Sequence, residues 1–582
     1  MILILSILFA FYVCHKIDGY HFEFQNLSTH NPFCSNFSKF EIYFFIMETN
    51  EPLSSSTFMI LFYGSIMVVA FILFYGKRRN KYCVGSTAAA LPPGPSPWPI
   101  VGCLPTLWRK KPRYRWVHKI MEELNTEIAC IRIGKIHVIP VTSPELAMEF
   151  LKTHDSVFAS RPITVTTDMF SDGFLTAGVA PWGNQWKKMR RILTSEILSP
   201  ARHRWMLSKR TEEADNLLRY VFSLTKTTPT SVSVRSITQH YSGNVMRRMM
   251  FNRRYFGKGR ADGGPATEEE EHIGALFTML QHVYAFCVSD YMSCLKAFDL
   301  DGHERIVKKA LNVIRKYEEP IIDERVQQWR DGKRIEAEDM LDIFISLKDE
   351  SGEPLLSVKE IKAQITELLL ATVDNPSNAV EWAMAEMLNQ PQHLQQATEE
   401  LDRVVGKERL VQESDIPNLK FLTACAREAL RLHPIAPFNL PHIATTDVVV
   451  AGYLIPAGSH VLLSRLGLGR NHRIWPDPMR FDPNRHLQDP GADLGLAEPD
   501  LRFITFTRGR RGCMGGTLGT AITMMLLARL VQGFTWQLPP GVAAIELSES
   551  DQLFLKDPLF ALAQPRLPES LYPDFEIEKK DF

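Results

Sequence analysis

Ten residues near the C-terminus constrain this chain more than any other feature: Phe506-Thr507-Arg508-Gly509-Arg510-Arg511-Gly512-Cys513-Met514-Gly515. They read as a glycine-bearing loop leading into a helix that continues through Leu518, Met524 and Leu527. A cysteine at that point sees the positive end of the helix and its free backbone N–H groups, which favour a thiolate. Gly509 permits the turn, and Phe506 is placed to shield the sulfur from water. The alternative is a Gly/Arg-rich surface loop that happens to hold one free cysteine.

The other cysteines do not compete for a comparable role. There are nine in 582 residues, an odd number, with no CxxC pair. A disulfide scaffold or a zinc site is therefore not expected. Sixty-six basic and 66 acidic residues cancel, so nothing points to a nucleic-acid partner.

Residues 57–76, TFMILFYGSIMVVAFILFYG, carry no charge and have the length of a membrane-crossing helix. Lys77, Arg78, Arg79 and Lys81 follow at once, which places the C-terminal side in the cytosol. A shorter apolar run, Met1 to Val13, reads either as a weak signal segment or as an extension upstream of a functional start at Met47; the second reading is preferred. The expected organisation is thus an N-terminal extension over 1–56, an anchor over 57–76, a basic stop and proline-rich hinge over 77–99, and one globular domain over 100–582. Leu91-Pro92-Pro93-Gly94-Pro95-Ser96-Pro97-Trp98-Pro99 cannot be helical and is stiff for its length.

Within the domain, helical patterns dominate. Short β-like pieces occur near Glu127 to Val141 and Asp447 to Leu463, and Lys258 to Glu271 has the composition of a mobile loop. A capping box, Ser357-x-x-Glu360, opens a long helix that stops near Pro391. A second helix covers about Leu419 to Leu432, ahead of Pro434.

With Phe506, Gly509, Arg511, Cys513 and Gly515 in place, the sequence resembles the cytochrome P450 family over about 490 residues, from the proline hinge to the C-terminus. The resemblance implies a mainly α fold with a small β region. It also implies haem b held by an axial thiolate from Cys513, a ligand that pushes electron density toward O–O cleavage. Three more family motifs fall in the expected order. Glu428 and Arg431, one helical turn apart, would join Arg485 in a buried charge network behind the haem-binding loop. Trp186 and Arg190 in WGNQWKKMRR would contact one haem propionate and His442 the other, with Arg511 also in reach. The partner implied is NADPH–cytochrome P450 reductase at the endoplasmic reticulum membrane. Lys187, Lys188, Arg508 and Arg510 would add positive charge to the face that meets it.

One departure narrows the chemistry. Where the family's oxygen-binding helix has an acid followed by Thr, this chain reads Asp374-Asn375-Pro376. Proline inside a helix removes a hydrogen bond at a cost of about 3 kcal/mol, and Asn375 is a poor proton relay. Proton delivery is then expected through water or through the substrate's own amine or carboxylate. DNPSNAVEW, together with residues 158–162, 299–304 and 437–442, is similar to the amino-acid N-hydroxylase branch of plant cytochromes P450. That branch implies two N-hydroxylations of an L-α-amino acid, with loss of carbon dioxide and water to leave an aldoxime for cyanogenic glucosides or related products. Phenylalanine is the expected substrate, with tyrosine, valine and isoleucine as alternatives. Asp374 and Asn375 are the candidate catalytic residues. Arg161 is the candidate partner of the substrate carboxylate, with Asn375 nearer the oxygen. A haem-thiolate enzyme that hydroxylates carbon or rearranges lipids, and a haem-less binding protein, remain as other classes.

Overall fold

The structure is a computed structural model that describes residues 89–226, 230–488 and 494–572. The anchor, the basic stop and the N-terminal extension lie outside those residues. Among the described residues no helix is long and apolar enough to cross a membrane.

Five helices position the site: α1 (Asn184–Ile192), α2 (Val234–Phe251), α3 (Val358–Asn389), α4 (Lys420–Leu432) and α5 (Gly516–Gly533). α3 is the axis of the domain. Its 32 residues span about 48 Å at the standard rise. The predicted capping box is present: Ser357 Oγ accepts from Glu360 N and the Glu360 carboxylate accepts from Ser357 N. The helix runs unbroken through Pro376 to Asn389, ahead of Pro391. Ile365, Leu369, Val373, Val380, Trp382 and Met384 bury much of its length in the core. α2, α4 and α5 pack against it.

Strands flank this helical core. β1 (Ile131–Ile133), β2 (Ile136–Val141), β4 (His442–Ile443) and β7 (His460–Leu463) form a sheet in the order β1-β2-β7-β4. β2 and β7 are parallel, with Val138 opposite His460, and β4 is antiparallel to β7, with His442 opposite Val461. Alternation along the strands buries both faces. Ile139, Val141, Val461 and Leu463 enter one cluster, while Val138 and Leu462 pack in another. β5 (Val448–Val450) and β6 (Tyr453–Ile455) make the hairpin between. A third sheet, β3 (Thr230–Ser233), β9 (Phe560–Pro565) and β8 (Phe534–Gln537), was not anticipated. Its strands are four to six residues long; β8 and β9 are neighbours in the chain, but β3 pairs with β9 across more than 300 residues of sequence. No local pattern announces that.

Two expectations change. The run from Lys258 to Glu271 is not all loop, because Glu268 to Glu271 form the first turns of a helix, Thr267–His282. Acidic side chains suit a helix N-terminus, and the buried Glu269 carboxylate accepts from Phe256 N and Ala266 N. The proline segment is fastened to the domain: Leu454 N donates to Ala90 O and Cys130 N to Pro93 O, both at 2.8 Å. At Gly94 a Cβ would lie 1.9 Å from the Cys130 carbonyl oxygen, so only glycine allows this approach.

Candidate functional site

The loop before α5 closes on itself as its glycines require. Cys513 N donates to Phe506 O (2.9 Å) and Gly512 N to Gly509 O (3.0 Å). Gly509 has φ +78°, and a Cβ there would lie 2.6 Å from both Asp155 Oδ1 and Leu151 O. The Phe506 ring covers the first turn of α5, where Gly516 and Gly519 make room for it.

Cys513 is accessible although protein surrounds it, so its sulfur borders an interior cleft. Burial raises its thiol pKa, against the Gly515 N–H, Arg465 and Arg190, which lower it. Burial and the helix end thus act on the thiol in opposite directions, and a coordinated cation would favour the thiolate.

α3 shows the same signature. Glu367, Leu368, Ala371, Thr372 and Asn375 are accessible in the middle of an otherwise buried helix. Their spacing of three to four residues is one helical stripe facing the interior. Asn375 ends the stripe, and its Nδ2 donates to Ala371 O (2.6 Å). Asp374 is turned away and buried, with Oδ1 unpartnered. Burial pushes its carboxyl up to about 7, against Arg235, which lowers it. One turn on, both amide atoms of the buried Asn378 also lack partners. Sequence reasoning missed Asn378, although its i+4 spacing from Asp374 on a predicted helix was a usable signal.

Cationic and donor groups crowd the Cys513 side of the cleft. Arg190 donates to Gly512 O (3.1 Å). Arg511 donates to Ala159 O (2.5 Å) and Ala180 O (2.7 Å), and lies 4.6 Å over the Trp186 ring. Burial and the neighbouring Arg161 push Arg511 down to about 9. His442 Nδ1 bonds Phe158 O (2.8 Å). His442 Nε2, Trp186 Nε1 and Arg465 Nε are buried without partners. Among the described residues Arg190, Arg511 and Arg465 form no ion pair; their acceptors are backbone carbonyls and, for Arg465, the Asn439 amide. Uncompensated buried cations and orphaned donors call for anions. The two propionates of a haem fit this donor set, and Cys513 fits its iron.

Arg161 is bonded to the backbone of neighbouring segments. Its Nη1 donates to Leu440 O and Pro441 O at 2.7 Å each, and its Nε donates to Gly178 O. It staples the segment that carries His442, which favours scaffolding over the expected contact with the substrate carboxylate. The basic face is also weaker than its residue count suggests. Lys188 pairs with Glu360 (2.7 Å) and Arg510 with Asp155 (3.0 Å).

The expected charge network is present and larger than predicted. Glu428 accepts from Arg431 Nε and Nη2 (both 2.8 Å), Arg485 Nε (2.9 Å) and Asp482 N (2.9 Å). His486 Nε2, a member not foreseen, sits 2.9 Å from Oε2.

Comparison with known proteins agrees with this architecture. The cytochrome P450 family profile matches residues 92–563. A tryptophan N-monooxygenase of Prunus mume is 57% identical over 531 residues, covering 90% of this chain and 98% of that protein. A phenylalanine N-monooxygenase of the same plant is 54% identical over 490 residues, covering 83% and 92%. A zebrafish cytochrome P450 solved with progesterone shares the fold at a TM-score of 0.64 and 21% identity, covering 78% of this chain and all of the other. With a matched profile over most of its length and these relatives, the chain belongs to the cytochrome P450 family.

Proposed function

We propose that this protein is a haem-thiolate monooxygenase that N-hydroxylates an L-α-amino acid twice and releases the corresponding aldoxime. Each round uses one O2 and one NADPH, places one oxygen atom on nitrogen and releases the other as water. Loss of carbon dioxide and water from the doubly hydroxylated product leaves the aldoxime. The observation that carries this reading is the pair of accessible patches in an otherwise enclosed part of the fold, Cys513 with its unpartnered cationic and donor groups and the stripe of α3 that ends at Asn375.

When bound, the haem supplies activation of oxygen. Cys513 would bind its iron, and Trp186, Arg190, His442 and Arg511 would hold its propionates. Asn375, whose Nδ2 is engaged by Ala371 O, presents its amide oxygen to accept from a substrate N–H. Pro376 has no N–H for the Thr372 carbonyl, so that oxygen is a second acceptor on the same stripe. Asp374, with a carboxyl pushed up to about 7, can hold and release a proton near neutral pH.

The substrate is proposed as an aromatic amino acid, phenylalanine first. The two relatives from one plant carry different amino acids in their names at 57% and 54% identity, so overall similarity does not rank the choices. Differences of a methylene or a hydroxyl are decided by a few pocket side chains. We further propose the segment 57–76 as a single anchor in the endoplasmic reticulum membrane, a cytosolic catalytic domain, and NADPH–cytochrome P450 reductase as the electron donor. The test is expression in microsomes with the reductase and a mixture of all the protein amino acids. Aldoxime formed only with NADPH is the expected result. Ring or alkyl hydroxylation, or turnover without reductant, refutes it.

A further inference from the structure

Two segments run side by side at the cleft. Asn439 N donates to Leu463 O (2.9 Å), Arg465 N donates to Pro437 O (3.0 Å), and Phe438 and Ser464 form an antiparallel bridge. This pairing brings Asn439 and Arg465 together, with Arg465 Nη2 3.4 Å from Asn439 Oδ1. Among the described residues that long contact is the only hydrogen bond of the Arg465 guanidinium. Its Nε is buried without a partner, as is Asn439 Nδ2. None of the described carboxylates pairs with Arg465. It is surrounded by protein yet partly accessible, as Cys513 is, and the two lie near enough to interact electrostatically. Burial pushes Arg465 down to about 10.

A guanidinium enclosed in protein without a counter-charge is costly. A planar fork of N–H groups beside a free amide N–H matches a carboxylate. We propose that Arg465 and Asn439 form a carboxylate-binding site in the cleft, taking the α-carboxylate of the amino-acid substrate or a haem propionate. The substrate is the favoured source, because Trp186 Nε1, His442 Nε2 and Arg190 already offer donors to the propionates. In that form the proposal rests on the amino-acid reading above. Arg465 would then fix the carboxylate and so orient the amine, a positioning role rather than a chemical one.

The test uses the full-length haem-loaded protein and its Arg465→Met, Arg465→Lys and Asn439→Ala variants. Haem per polypeptide is measured first. Binding is then read from the shift of the haem absorption band on adding L-phenylalanine, L-tryptophan, and their decarboxylated amines, phenethylamine and tryptamine. If the substrate carboxylate is the ligand, Arg465→Met keeps its haem and loses about 10- to 100-fold in affinity for the amino acids, with the amines unaffected. Arg465→Lys should recover part of the loss, and Asn439→Ala should show a smaller one. If a propionate is the ligand, haem content falls in Arg465→Met, and the loaded fraction discriminates amino acid from amine as the parent does. A parent protein that answers no amino acid sinks the amino-acid reading, and haem retention then decides the site. Unchanged haem content with unchanged amino-acid and amine binding in both Arg465→Met and Asn439→Ala overturns the proposal.

Discussion

Replacing Glu428 by Gln should cost this protein several kcal/mol while changing almost no volume. Glu428 is wholly buried, and its two oxygens serve Arg431, Arg485, His486 and the Asp482 N–H. Gln supplies one acceptor oxygen where there were two, turns an NH2 toward donors, and leaves the buried Arg431 without a counter-charge. Breaking one side of a buried pair costs about 3–5 kcal/mol. Titration gives a second route to the number. Burial alone would raise the Glu428 carboxyl, but Arg431 and His486 hold it down to about 2 from an ordinary 4.5. That difference is worth roughly 3 kcal/mol by linkage. Because the folded value is depressed, the contribution is complete above the ordinary value and is lost as pH falls toward about 2. Urea titration at neutral pH, followed by far-UV circular dichroism and by the reduced, CO-bound absorption spectrum, measures the difference. The variant should unfold earlier and lose its thiolate-type spectrum with it. A destabilisation below about 1 kcal/mol, the range of an exposed ion pair, would refute the reasoning.

Asp374→Asn removes a carboxyl that the fold prefers protonated. Between pH 3.8 and about 7 the folded chain binds that proton more tightly than the unfolded chain, so parental stability should fall with rising pH relative to the variant and run parallel above pH 7; thermal melts across pH check this. Asn375→Thr should alter the ratio of product formed to NADPH consumed. An unchanged ratio counts against proton delivery through water or substrate at this turn. Gly509→Ala places a Cβ 2.6 Å from Leu151 O at a φ of +78°, adding a left-handed penalty of about 1–2 kcal/mol to the clash; haem per polypeptide should drop.

The predicted elements that survived share a local cause. The start of α3 was legible because a capping box is a four-residue event, and its end because Gln390, the residue before Pro391, is pushed out of the helical region. α4 ends before Pro434 for the same reason. Trp186 with Arg190, and Glu428 with Arg431, were visible as pairs because a helix returns to one face every turn. His486 escaped because its partner lies 58 residues away, and β3 because its partner β9 lies more than 300 residues away. Arg465 carried a faint signal, a charge set between a strand and an apolar turn. Nothing local said whether it met an acid, a carbonyl or a ligand.

Cys513 thus stands on the sequence alone, since the loop, the glycines and the helix start are set by neighbours in the chain, and so does the Asp374-Asn375-Pro376 departure. Tertiary structure decided which groups have partners. It tied Arg161 to three carbonyls, left Arg465, Asn439 and Asn378 with unmet hydrogen bonds, and turned Asp374 away from the stripe that ends at Asn375. The physical reason is that burial and hydrogen-bond satisfaction depend on segments meeting across the fold. A residue's type announces what it can bind; only packing leaves it free to do so.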